Sequence, residues 1–353
     1  MQKNKFSIDD TCVLKGVAII LMFMHHLFAF PDRIIEPNFF VPIHTYIHVP
    51  LINQDFEFLL GQFGKLCVAI FLFLSGYGTY LSYKSKNTSN EKFVLKKIFR
   101  IYKIYWQVFI IFIPIGLIMR KIDFHYVEFA CNFFALSSSY NGEAWFLFPF
   151  VLLIIFSPYI IKFIDKIKNR LIEVIAVIFI SALLYYVYPY IFDIDALKVF
   201  KETRFFSKSL LAIQLLPSFL SGIIFAKNDY FSKYWSLIKN KLNLFLASLI
   251  LMITVFAFRN KGFENFECVY SALFCMGAIN CIKYSELLYT ILNRIGKYST
   301  YMWFIHSYFC YYYFQSVIYA PRFSFSILIW LLVITYFVSV GIEYFFKLDM
   351  KKR

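Results

Sequence analysis

The stretch LKGVAIILMFMHHLF, residues 14–28, decides how the chain is read. It lies inside an apolar run, 12–30, of about the length that crosses a bilayer as a helix. Three of its residues do not suit hydrocarbon: Lys15 near the start, and the adjacent His25 and His26 further in. A charge at the bilayer centre costs roughly 2.5–3.5 kcal/mol even on the lenient insertion scale, so such residues call for a function.

The composition agrees with a membrane protein. The 353 residues are 60% hydrophobic and 22% aromatic, and only 16% are charged. A soluble domain carries charge nearer 25%. The net charge of +15 does not point to nucleic acid, because the basic residues lie between apolar runs and form no patch. The first run is as long as a full span and no A-x-A-like site follows it, which predicts a retained span and not a secretory signal. The seven cysteines form no C-x-x-C pair and fall mostly in apolar runs, so neither a disulfide framework nor a zinc site is expected.

Ten runs qualify as spans or come close: 12–30, 59–83, 98–119, 144–164, 171–192, 206–226, 242–258, 266–282, 299–320 and 323–346. An eleventh, 126–136, is too short to cross and reads as a re-entrant or surface-lying segment. The basic residues decide between ten and eleven. With ten spans and the N-terminus inside, 22 Lys and Arg face the cytoplasm and 9 face out, Arg100 being counted at the inner edge of its run. Eleven spans give 14 against 17. The positive-inside rule therefore predicts an all-α, polytopic protein with ten spans and both termini cytoplasmic. The longest external loop, 31–58, has 28 residues, and no internal repeat is visible, so residues 1–353 read as one membrane domain.

Eleven residues separate Lys15 from His26. At 100° per residue that is three turns plus about 20°, which puts both on one helix face roughly 16 Å apart along the axis. His25 is rotated about 80° the other way, making it the secondary candidate. The plainer alternatives are an anchoring lysine and histidines that bond neighbouring helices. On the same cytoplasmic side, LKKIFRIYKIYW places Lys97, Arg100 and Lys103 in one stripe at a helix start, where the dipole also favours anions. One ligand with phosphates at the inner face and a reactive end in the membrane fits both features. Coenzyme A has that shape, its pantetheine arm spanning roughly 16–18 Å.

These residues resemble the acyltransferase 3 family of multi-spanning membrane acyltransferases. The family opens with Arg, ten residues and His; here Lys15-x10-His26 takes that place. FLFLSGYG, with Ser75, Gly76 and Tyr77, is similar to its Phe-rich span ending in Ser-Gly-aromatic. Lys97-Ile-Phe-Arg100 and RIYKIYW resemble its Arg-x-x-Arg element, with Lys103 replacing a proline. EAWFLFPF around Trp145, and IGKYSTYMWFIHSYF with Ser299 and His306, resemble two further elements. Two Arg positions hold Lys, which keeps the charge but lacks the bidentate fork. The family's frequent extra external domain is not found in these residues.

The resemblance implies acyl transfer, usually of acetyl from acetyl-CoA, to a hydroxyl of a surface polysaccharide or a lipid-linked sugar, in the cytoplasmic membrane. His26 is then the natural general base, taking the acceptor proton or relaying the acyl group, and the unperturbed pKa of an imidazole is close to working pH. Glu143, at the external start of the fourth run, orients it or binds the acceptor; its plainer reading is an interface carboxylate. Lys15, Lys97, Arg100 and Lys103 are the candidates for the CoA phosphates; His306 lines the acyl channel or only packs between helices. His44 and His48 have i, i+4 ligand spacing but no third ligand, and no metal is expected. Two rival classes, a flippase or transporter and a polymerase for lipid-linked glycans, explain the spans but not the aligned Lys15-x10-His26 pair. The charge asymmetry makes a direct prediction. Cysteine-accessibility labelling at Ser89 and Asn240 should report the cytoplasm, and at Asn53 and Asn260 the exterior.

Overall fold

A computed structural model describes residues 5–30, 33, 47–50, 53–193, 198–262 and 264–351. The chain is helical almost throughout. Its helices are α1 (Ile8–Phe28), α2 (Phe56–Gly64), α3 (Cys67–Lys84), α4 (Asn90–Ile118), α5 (Tyr126–Phe133), α6 (Leu147–Lys166), α7 (Arg170–Asp193) and α8 (Lys198–Glu202). They continue as α9 (Arg204–Asn228), α10 (Tyr230–Leu237), α11 (Lys241–Asn260), α12 (Glu267–Ile282), α13 (Glu286–Lys297), α14 (Ser299–Ser307), α15 (Gln315–Tyr319) and α16 (Ser324–Lys351). Two-residue strands, His48–Val49 and Gln54–Asp55, pair antiparallel.

Eight of the ten predicted runs are helical stretches long and apolar enough to cross a membrane. The multi-pass, all-α class follows from them. The eighth run forms α12, whose 16 residues rise roughly 24 Å. The ninth, expected as one unbroken span, is interrupted: α14 passes into a π-helical turn, Tyr308–Tyr312, before α15. Six aromatic side chains in the seven residues of YFCYYYF crowd a regular α-turn, since aromatics lose χ1 freedom against the preceding turn. The second run breaks as well, at Lys65–Leu66 between α2 and α3.

The contacts group into two units, each built from three separate stretches of chain. One comprises 1–15, 66–98 and 146–294. Its centre is the α3–α9 pair, where Gly76 and Gly222 face each other's backbones. A Cβ on Gly76 would overlap the Phe219 carbonyl, and one on Gly222 the Phe73 carbonyl. At one end of this unit Lys227 donates to the carbonyls of Ile164 (2.7 Å) and Ile167 (2.6 Å) and pairs with the buried Glu173. Nearby, Lys84 pairs with Asp165 (2.9 Å), Asp10 accepts from Lys283 (3.0 Å) and Tyr289 (3.0 Å), and Phe6 stacks on Phe231. All these segments are ones that the charge count assigns to a single side of the membrane. Arg259 and Glu267 (2.8 Å) pair near the joint of α11 and α12, which the same count assigns to the other side.

The second unit comprises 16–65, 99–145 and 295–353. Here α5 turns back along α4. Its terminal carbonyls are taken up by donors on α4: Tyr102 to Phe134 (2.8 Å), Tyr105 to Asn132 (2.6 Å) and Trp106 to Phe133 (3.0 Å). With eight residues α5 rises only about 12 Å, and it ends where Ala135 takes a left-handed conformation, φ 58°. The α3–α9 contact is the most sensitive to a single methyl. Gly222→Ala should lower thermal stability in detergent by about 1–3 kcal/mol through overpacking, whereas Gly78→Ala, with open space around it, should not.

Candidate active site

His25 and His26 close α1, where a helix leaves its last carbonyls without intrahelical donors. Two are satisfied locally: the Ala29 amide donates to the His25 carbonyl (3.0 Å), and the Tyr311 hydroxyl donates to that of His26. The imidazoles then diverge. His25 Nδ1 donates to the Gly61 carbonyl (2.8 Å), across a close approach of α1 and α2. A Cβ on Gly61 would lie 2.6 Å from the Ala29 nitrogen, so only glycine lets the backbones meet there.

His26 faces the other way, into a cluster formed entirely within the second unit. Its Nε2 lies 3.3 Å from Glu143 Oε2, and Arg33 Nη1 lies 3.3 Å from Glu143 Oε1. The Arg33 guanidinium stands 4.1 Å over the Phe30 ring, and Gln315 Nε2 donates to the Arg33 carbonyl (3.1 Å). The His306 ring centre is 4.9 Å from that of His26, and its Nδ1 donates to the Trp303 carbonyl (2.6 Å). Both rings are buried. Among the described residues, His26 Nδ1 and His306 Nε2 are buried without a hydrogen-bond partner. Buried polar atoms nearly always have one, so these two nitrogens are the atoms the cluster offers to a bound molecule. A proton on His26 Nε2 faces the Glu143 carboxyl, and that tautomer leaves the lone pair on Nδ1. On His306 the proton is on Nδ1, and the lone pair is on Nε2.

Glu143 sits deeper than its place in the sequence implies. α4 and α14 run side by side, with Tyr301 donating to Gln107 (2.5 Å) and Tyr308 stacked on Phe112 at 4.6 Å. Trp303, between those two contacts, donates through Nε1 to the Glu143 carbonyl (3.0 Å). That level is roughly 10–15 Å from the end of α4 at Ile118. Residues 137–141 are non-helical and lead into a short 3₁₀ turn, Gly142–Phe146, ahead of α6. This path carries the carboxylate inward from what the sequence reads as the outer mouth of a span.

The other predicted residues are placed as follows. α1 is unbroken from Ile8 to Phe28, so Lys15 and His26 keep their separation of roughly 16 Å along it. α4 is continuous through Lys97, Arg100 and Lys103, which therefore keep their stripe; Lys97 Nζ lies 3.3 Å from Thr79 Oγ1, and Arg100 is exposed. His44 lies outside the described residues. His48 pairs with Asp55 across the small sheet (3.3 Å). Sequence reasoning missed Arg33, Tyr311 and Gln315. Arg33 had a signal: it is a cation just past a helix end on the side that carries few of them. Tyr311 was hidden in an aromatic run whose π turn no periodicity announces.

A family model described as an acyltransferase domain matches residues 7–345, nearly the whole chain. No curated protein and no solved structure matches it. The two histidines make separable predictions here. His25→Ala removes the bond to Gly61 and should lower thermal stability by about 1–3 kcal/mol, with a milder effect on turnover than loss of His26. Melting curves of the purified variants in detergent check this.

Proposed function

The chain belongs to the acyltransferase 3 family, and from that membership we propose that it transfers an acyl group, acetyl first among them, from acyl-CoA to a hydroxyl of a cell-surface polysaccharide or lipid-linked sugar. The carrying observation is the His26 imidazole, held at Nε2 by Glu143 with Nδ1 buried and unpartnered. The acceptor hydroxyl gives its proton to His26 Nδ1 as its oxygen attacks the thioester carbonyl. Glu143, balanced by Arg33, steadies the imidazolium that forms. Collapse of the tetrahedral adduct expels the CoA thiolate, which recovers the proton from Nδ1.

The donor side uses residues read from the sequence. Arg100 and Lys103 take the phosphates at the cytoplasmic face of the cell membrane, and the pantetheine arm reaches His26. The lone pair of His306 Nε2 suits an amide N–H of that arm. Both supports are geometric: the unbroken α1 and the juxtaposition of the two rings.

The test is transfer of label from radiolabelled acetyl-CoA to carbohydrate in membrane vesicles. His26→Ala should lose roughly 10²–10⁴-fold in rate, the usual worth of a general base, with expression and insertion preserved. Full activity in that variant, or no transfer from acyl-CoA by the wild type, overturns the reading.

A further inference from the structure

The placement of Glu143 rests on a residue that no step of the reaction uses. Asn141 is almost fully buried, and its amide makes three hydrogen bonds. Nδ2 donates to the Phe304 carbonyl (2.8 Å). Oδ1 accepts from the Ser307 hydroxyl (2.7 Å) and from the Glu143 amide (3.2 Å). Phe304 and Ser307 flank His306 in sequence. One side chain thus ties the backbone that carries Glu143 to the helical turn that carries His306.

The flanking backbone groups are held from the same direction. The Gly142 amide donates to the Tyr312 hydroxyl (3.0 Å), and a Cβ at Gly142 would lie 2.7 Å from that oxygen. Trp303 Nε1 takes the Glu143 carbonyl. Trp303 thus links the Glu143 carbonyl to His306, whose Nδ1 bonds the Trp303 carbonyl, while the Asn141 side chain links the Glu143 amide to Phe304 and Ser307. Loss of the Asn141 side chain takes Nδ2 from the Phe304 carbonyl and takes the acceptor Oδ1 from the Ser307 hydroxyl and the Glu143 amide.

We propose that Asn141 is a positioning residue, whose amide sets the Glu143 carboxylate against His26 by locking the Asn141–Glu143 backbone to α14. The proposal rests on the His26–Glu143 reading above. The tie acts on chemistry and not on the donor's phosphates, so its loss should lower kcat and leave KM for acetyl-CoA unchanged. A displacement of the order of 1 Å at a catalytic group costs up to about 10²-fold. The expected loss in kcat is therefore roughly 10- to 100-fold.

The experiment is a double-mutant cycle on the full chain in membrane vesicles, reading label transferred from radiolabelled acetyl-CoA to carbohydrate. Asn141→Ala, Glu143→Gln and the pair are compared by kcat and KM. A residue acting through Glu143 adds no further loss once Glu143 is gone, whereas a merely structural residue adds its loss in full. Should Asn141→Ala not insert, Asn141→Ser takes its place, keeping a short acceptor for the Glu143 amide while giving up the reach to Phe304. A non-additive cycle with unchanged KM is the expected result. Additive losses, or a loss confined to KM, overturn the Asn141 role while leaving the His26–Glu143 reading intact. Full activity of Glu143→Gln alone overturns both.

Discussion

Within a span, a carboxylate beside an imidazole has only protein groups to bond, and an ionic group stripped of water there is tolerated only when its neighbours satisfy it. The pair of His26 and Glu143 sets that requirement, and the surroundings are arranged to meet it. Arg33 takes the second carboxylate oxygen, Tyr311 takes the His26 carbonyl, and Trp303 takes the Glu143 carbonyl. The π turn at Tyr308–Tyr312 serves the same region, setting Tyr311 toward the His26 carbonyl of α1 and Tyr312 toward the Gly142 amide. Wide turns of this kind are frequent at functional sites.

Both units combine close backbone approaches at glycines with buried polar ties. The first relies on small residues: Gly76 and Gly222 bring α3 and α9 into backbone contact, as expected where lipid removes the hydrophobic drive between helices and close packing must replace it. The second carries polar ties of its own, among them the buried Glu57, which accepts from the Ile47 amide and the Ser324 hydroxyl. The catalytic candidates lie in that unit.

Much of this was legible from residues alone. Hydropathy found eight long helices, because an apolar run of span length has few other ways to satisfy its backbone. Turn arithmetic separated His26 from His25, and the two rings do take different partners. What periodicity could not show were the departures from it. The break in the ninth run, the non-helical path through 137–141 and the inward position of Glu143 depend on contacts between stretches far apart in the chain, such as Asn141 with Phe304. Arg33 was counted only as one of a few external charges, since charge counting is blind to what a side chain touches.

The short helix α5 carries a consequence for how the protein is made. Eight residues are too few for the insertion machinery to recognise as a span, so α5 has no independent claim on the bilayer. Its open carbonyls become tolerable at depth only when Tyr102, Tyr105 and Trp106 of α4 are already there to receive them. Biogenesis is thus ordered, with α4 as the template and α5 following it in. Because the chain runs from α5 through Asn141 to Glu143, the carboxylate reaches the imidazole only after that step.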